Sequence, residues 1–516
     1  MRRFLPAILV FAAIAAMLIV IEARPQFPDP DSFYHAKMAL IVRDQGFIHQ
    51  LPWLQYTVLA TDYVDYHLGY HLLLVPFVTL FDPLVGMKVS AGLFGLIAFY
   101  ALYRFLKWMK APHPEILVGL AVLSSSFLHR MSLPRAPALS VAILLWCTYA
   151  LIDRRPWMIT ASAAVYVWFY YGWPLLIPLT MAVLVADLMV ARLEEQKMSF
   201  WHSLSSVARR QRRSIGQLLL GVVIGLVVNP YFPNNIFATA RDVFKLAVVN
   251  YHQVIPVGME WYPTTPEDFL VASPFLVVFF AISCALLLAV AATQKEVPRR
   301  AQMFSLFTVM LLSGGFFVLT LKSNRFIEYA VPFLTLAAGG LFTFWLPFFN
   351  RELLPGLRKW FSWRPGKWLV SGVVVLAVAS FALTEVKNAL PNKQHFTESA
   401  FAPVTEWIKQ NIPQGELVFH NGWDFSLILF YLDDSHRYLV GLDPTYMYDA
   451  FRSDYDIWSD LVTGKDADVG KIITYFQSQV VVIDTRLTTD FEKNIQASGL
   501  FDAVIADGPV HLYSAK

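Results

Sequence analysis

Carboxylates, histidines and arginines recur in this sequence directly beside long apolar runs. The first group is Asp29-Pro-Asp31-Ser-Phe-Tyr-His35. A carboxylate such as Asp31 at a membrane surface can hold a divalent metal or act as a base. The competing reading makes Asp31 the cap of a helix running from Ser32 to Gln45. The second group is Asp62, Asp65, His67 and His71. His67 and His71 are four apart and share a face if helical, so Asp65, His67 and His71 could supply three metal ligands. The plainer alternative is interfacial histidines in a solvated loop. His129-Arg130-Met-Ser-Leu-Pro-Arg135 is the third group. Its two arginines can grip phosphate in bidentate fashion or merely anchor a surface. Glu260 lies in a Pro- and aromatic-rich segment, Met259 to Asp268, which reads as an ordered loop. Arg325 occupies a very short turn between two apolar runs and needs an anion, either Glu328 or a ligand phosphate. Gly422-Trp423-Asp424 follows an expected strand, where stacking plus a carboxylate suits sugar or peptide recognition. There the alternative is a buried Trp and a helix-capping Asp. Gly441-Leu-Asp443-Pro-Thr-Tyr446 offers a second wall.

The elements that must position these groups are mostly apolar. The chain has 516 residues, 56% of them hydrophobic and only 15% charged, with mean hydropathy +0.49. Runs at 4–22, 84–107, 115–129, 136–152, 157–172, 173–191, 216–229, 269–292, 303–321, 327–348 and 367–385 predict about eleven spanning helices. Segment 68–81 is too short to span and predicts a surface helix. Basic residues select the orientation. With Arg2 and Arg3 cytoplasmic, Lys107, Lys110, Arg154, Arg155, the Arg209–Arg213 cluster, Arg299 and Arg300 all fall on the same side. The other side then receives loops 23–83 and 230–268 and the segment 386–516. That last segment alternates strand and helix patterns: strands at 416–420, 480–484 and 503–505, and helices at 402–411, 425–432, 455–463, 469–477 and 489–497. The expected architecture is a polytopic α-helical membrane domain, 1–385, with a C-terminal soluble α/β domain, 386–516, outside the cell.

Composition also excludes. The net charge of +3 gives no basis for nucleic-acid binding. Cys147 and Cys284 both lie in apolar runs, so no disulfide framework is available to the C-terminal segment. Lys88 and Asp187 are the exceptional charges inside the runs and are expected to snorkel to an interface. The scarcity of mid-membrane charge disfavours an ion-coupled transporter.

Taken in order along the chain, these residues resemble the catalytic subunit of oligosaccharyltransferase and, more broadly, the GT-C class of membrane glycosyltransferases. Asp31 stands where the family has its first acid. Arg130 matches the arginine opening the second motif. Glu260, with Pro263-Thr-Thr after it, resembles the loop glutamate. Arg325-Phe-Ile-Glu-Tyr resembles the phosphate-gripping turn, and Gly422-Trp423-Asp424 a degenerate Trp-Trp-Asp acceptor motif. The second acidic pair is missing, with Arg135-Ala-Pro137 near its place, and Gly422 replaces a Trp. The resemblance implies transfer of a sugar or glycan from a polyprenyl-(pyro)phosphate carrier on the extracytoplasmic face of the plasma membrane. Arg325, Arg130 and Arg135 would bind donor phosphate, Asp31 and Glu260 would be catalytic, and Trp423 and Asp424 would hold a protein, glycan or lipid acceptor. It further implies a divalent ion, Mg2+ or Mn2+, on Asp31 and Glu260, with Asp65, His67 or His71 replacing the missing ligand. Without a metal, Asp31 would be the general base. The alternatives are a single-sugar transferase acting on lipid or polysaccharide, a polyprenyl-glycan flippase, or an inactive binding relative.

Overall fold

Prolines and small residues set where the apolar helices start, bend and touch. The computed structural model describes residues 4–194, 199–293, 299–353, 376, 379–390, 396–487 and 489–516, so most of the run at 367–385 lies outside them. Among the described residues five helices are long and apolar enough to cross a membrane: Leu5–Glu22, Pro83–Trp108, Trp173–Glu194, Arg300–Lys322 and Asn324–Arg351. Counting each sharply bent helix pair as one span raises the number to seven among the described residues, short of the eleven expected.

The shortfall has local causes. The run at 115–129 is two helices, Pro114–Val122 and Ser125–Ser132. Leu133, before Pro134, is extended with ψ 134°, which ends Ser125–Ser132. That helix meets Pro137–Ile152 at 104°. Pro274 similarly opens a helix bent 104° from Pro266–Ala272. The run at 216–229 is the end of a long helix, Phe200–Val227, whose first half carries the Arg209–Arg213 cluster.

Two compact units result. The first gathers residues 1–24, 89–228 and 260–390. Within it, Phe200–Val227 packs on Pro156–Phe169. A Cβ on Gly221 would lie 2.4 Å from the Thr160 carbonyl oxygen, and one on Gly225 2.8 Å from that of Ala164. This is close backbone approach through a Gly-x-x-x-Gly face. The Trp168 indole donates to the Gly225 carbonyl at 2.9 Å and fixes the register. Asp187 does not snorkel. It is buried, and accepts from Gln211 at 2.8 Å, Arg300 at 2.8 Å and Arg210 at 3.1 Å, tying three helices together.

The second unit gathers residues 25–88, 229–259 and 391–516, so the first long loop and residues 229–259 of the later one fold with the C-terminal segment. Its sheet has strands β1 (Leu417–His420), β2 (Arg437–Tyr438), β3 (Val480–Asp484), β4 (Phe501–Ile505) and β5 (Val510–Ala515), in the order β2-β1-β3-β5-β4. β1 runs parallel to β2 and β3, and β5 is antiparallel to β3 and β4. β1 and β3 are buried throughout, as near-continuous apolar runs in a central parallel pair should be. The first loop joins the sheet side through Phe27 paired with Phe396 and Leu54 with Tyr438. The later loop joins through Tyr446 donating to Asp242 at 3.1 Å and a Lys245–Asp449 ion pair. Segment 68–81 is a helix, Leu68–Leu80, packed on Asp31–Gln45.

Candidate functional site

In the first unit a turn and a loop hold the site. Arg325 lies in a one-turn helix, Asn324–Phe326, between Arg300–Lys322 and Ile327–Phe348. The loop carrying Glu260 is fastened to that turn. Ser323 donates to the Glu260 carbonyl at 2.9 Å, the Asn324 amide to the Tyr262 carbonyl at 2.8 Å, and Thr264 to Asn324 at 3.0 Å. Thr265 and Asp268 form a reciprocal capping box that starts Pro266–Ala272, so the loop has a fixed exit as well.

Glu260 is the centre of the cluster. One carboxylate oxygen accepts from Arg130 at 2.6 Å and lies 3.5 Å from Arg135. The other accepts from Arg325. Arg130 also donates twice to Glu328, at 3.0 and 2.6 Å. The Tyr170 hydroxyl accepts from Arg325 at 3.0 and 2.7 Å and donates to Glu328 at 3.3 Å. The Arg325 guanidinium lies 5.0 Å from the ring centres of Tyr171 and Trp261. Glu328 is fully buried, and Arg130 and Arg325 nearly so. Three guanidiniums, of Arg130, Arg135 and Arg325, thus converge on Glu260, and Arg130 also engages Glu328. Burial works to raise the Glu260 carboxyl. Arg325, Arg135 and Arg130 outweigh it and hold Glu260 well below the usual carboxylate range.

Two sequence expectations change here. Arg325 was expected to meet Glu328 or a phosphate, but its acidic partner is Glu260, and Glu328 serves Arg130. Tyr170, Tyr171 and Trp261 were not anticipated as site residues. The signal was available: Tyr170-Tyr171 ends a helix on the side expected to hold Arg130, Glu260 and Arg325.

The second unit holds the remaining candidates. Asp31 opens the helix Asp31–Gln45 as its first residue, after Pro30 at the N-cap, and the Asp29 carboxylate accepts the Asp31 amide at 2.8 Å. The capping reading of Asp31 is therefore corrected, and Asp31 stands in the first turn. Asp65, His67 and His71 are joined differently from a ligand trio. One Asp65 oxygen bonds His71 Nδ1 at 2.7 Å, the other accepts the His67 amide at 2.9 Å, and His71 Nε2 meets His35 Nδ1 at 2.8 Å. Asp65, His71 and His35 thus form a buried chain. Among the described residues no three of His, Cys, Asp and Glu stand together as a metal site.

Trp423 and Asp424 follow the carboxyl end of β1. Asp424 accepts the Phe425 amide at 2.8 Å beside the helix Ser426–Leu432. Burial raises its carboxyl pKa, and Asp484, at the end of β3, adds to the rise. Gly422 is crowded: an added Cβ would meet Leu487 at 2.5 Å and Phe425 at 2.8 Å, so a larger residue needs those side chains to move. Asp443 accepts the Thr445 amide at 2.8 Å, just before the helix Thr445–Ala450.

No protein-family model matches this chain, and no curated protein matches its sequence. Solved structures do match. Archaeal oligosaccharyltransferase AglB from Archaeoglobus fulgidus, in complex with an inhibitory peptide and a dolichol-phosphate, aligns with a TM-score of 0.62 at 11% identity. The match covers 100% of this chain and 74% of that one. Arabinofuranosyltransferase AftD from Mycobacteria aligns with a TM-score of 0.53 at 13% identity, over 100% of this chain and 40% of that one. The fold is that of the GT-C membrane glycosyltransferases, in a divergent form.

Proposed function

We propose that this protein is an integral membrane glycosyltransferase that moves a sugar or glycan from a polyprenyl-(pyro)phosphate carrier to an acceptor on the extracytoplasmic face. The observation that carries this reading is the convergence of three guanidiniums, Arg130, Arg135 and Arg325, on one largely enclosed spot around Glu260. A phosphate leaving group gains negative charge as its bond to the sugar carbon breaks, and fixed guanidiniums in a dry site stabilise that charge without reorganising. In this reading Glu260 and Glu328 hold the guanidiniums apart and aimed, and Tyr170 sets the tilt of Arg325. Arg135, 3.5 Å from Glu260, adds the third guanidinium facing the donor. Asp31 takes the proton of the acceptor nucleophile as it attacks the sugar carbon. Trp423 and Asp424 bind the acceptor. With Glu260 spanned by guanidiniums and Asp65 bonded to His71, these residues do not fit a divalent centre, so the reaction is assigned to side chains alone. Like its expected counterparts, the protein has a cytoplasmic N-terminus in the plasma membrane, with segment 386–516 outside.

The test is a transfer assay on the full chain in lipid, using polyprenyl-phosphate and polyprenyl-pyrophosphate sugars. Product that forms with wild type and is lost with Asp31→Ala and Arg325→Ala supports the reading. Donor that crosses the bilayer without product would overturn it in favour of a flippase. Activity that survives chelation by EDTA is expected, and loss restored by Mg2+ or Mn2+ would return the metal. The second reading is a single-sugar transferase acting on a lipid or polysaccharide. It is favoured by the crowded Gly422 in place of an acceptor Trp and by the likeness to the arabinofuranosyltransferase. Peptide and glycan acceptors offered side by side separate the two.

A further inference from the structure

The helix Pro83–Trp108 carries a ridge, Tyr100-Arg104-Trp108, at four-residue spacing on one face. A groove of about 620 Å³ lies on one side of the ridge, against Phe4, Ile8 and Phe11 of the N-terminal helix. A second groove of about 540 Å³ lies on the other side, against Leu139, Ile143 and Trp146. Tyr100, Arg104 and Trp108 line both. The lining is otherwise mostly apolar. Arg104 donates to the Tyr100 hydroxyl at 3.1 Å, and Lys107 stands over the Phe4 and Tyr103 rings. Both cations are exposed. Neither is paired with a carboxylate among the described residues, and Glu115, whose charge reaches Tyr103, lies 3.6 Å from His113.

Length places these cations. Helix Pro83–Trp108 is roughly 39 Å long at 1.5 Å per residue, longer than the ~30 Å hydrocarbon core. Arg104 therefore falls within about 6 Å of the helix end, at headgroup depth. Tyrosines and tryptophans gather at the same level, as they do at membrane interfaces.

We propose that this ridge is a binding site for one anionic two-chain membrane lipid. The lipid straddles the ridge, with one acyl chain in each groove and its phosphate on Arg104 and Lys107. Two apolar grooves separated by a single cationic ridge match a headgroup with two tails. A single-chain carrier would fill only one.

The test uses the full-length protein in detergent and native mass spectrometry. Equal phosphatidylglycerol and phosphatidylcholine are supplied, and then lysophosphatidylglycerol and polyprenyl phosphate as competitors. Wild type should retain one phosphatidylglycerol with a preference of about thirtyfold, from two juxtaposed cations. Arg104→Gln with Lys107→Gln should abolish the preference. The melting temperature in lipid-free detergent should not change, because neither cation holds a carboxylate. Ala101→Trp, which fills one groove, should lose the two-chain lipid and keep lysophosphatidylglycerol. Three results would overturn the proposal: no preference in wild type, a preference indifferent to the double substitution, or displacement of the two-chain lipid by stoichiometric polyprenyl phosphate.

Discussion

At the scale of single residues, the site is a contest between burial and charge. Arg325 reaches Glu260 and Tyr170 with different nitrogens of one planar fork, which lysine cannot reproduce. Arg325→Lys should therefore lower kcat about a hundredfold, a size usual for loss of a preorganised donor, with a smaller change in KM. Steady-state kinetics on the polyprenyl donor read this directly. Glu260→Gln removes the anion facing three guanidiniums and should cost about 3–5 kcal/mol, the range for breaking a buried pair from one side. Thermal unfolding in a fixed detergent measures that loss. Because the Glu260 pKa is depressed, the stability it supplies is present above the ordinary value of 4.5 and is lost only as pH falls toward the lower folded value. Wild type minus Glu260→Gln should thus be flat from neutral pH down to about 4.5 and shrink below it. Asp31 behaves differently. It sits in the first turn of its helix and is not the cap, and Asp31→Ala should leave a folded protein, checked by a cooperative thermal transition in detergent. The same change should abolish transfer.

At the scale of elements, what matters is how closely backbones approach and where helices break. Gly221 and Gly225 let Phe200–Val227 press on Pro156–Phe169, the helix that ends just before Tyr170. Gly221→Leu should force the pair apart, cost about 1–3 kcal/mol as overpacking does, and loosen Tyr170 from Arg325. A lowered melting temperature together with a lowered kcat distinguishes this from a purely structural defect. In the other unit, the Asp65–His71–His35 chain links the loop before Leu68–Leu80 to the helix Asp31–Gln45. His71→Leu leaves the Asp65 carboxylate buried without its ring partner and should cost about 3 kcal/mol or more. Helix breaks were partly legible in the sequence. Pro134 and Pro137 stand in plain view at one bend, and Pro266 and Pro274 at the other. Hydropathy summed over a window still joined 115–129 into one run, because it registers apolarity and not backbone direction.

At the scale of the molecule, the first long loop, residues 229–259 and the C-terminal segment fold into one unit whose buried residues include His420. Burial lowers the His420 pKa to about 4, while its unfolded value is 6.5. The folded state prefers the neutral ring, so stability is complete above pH 6.5 and falls as pH drops from there toward 4. Unfolding of this unit followed by tryptophan fluorescence should show that acid limb, and His420→Gln should flatten it. Sequence alone determined the apolar, membrane-like character, several helix ends, three of the five strands and the charged residues of the cluster, because apolar length, proline position and period-two patterning are local properties. It missed β2, which is two residues long, and β5, which is defined by its partner β3. Pairing was decided only in three dimensions: that Glu260 rather than Glu328 faces Arg325, that Asp65 and His35 flank His71, and that Asp187 is enclosed by arginines. A charge in a chain carries no record of which opposite charge will reach it. That choice follows from packing helices whose partners lie far apart in sequence, and the energy of each pair depends on how much water the packing removes.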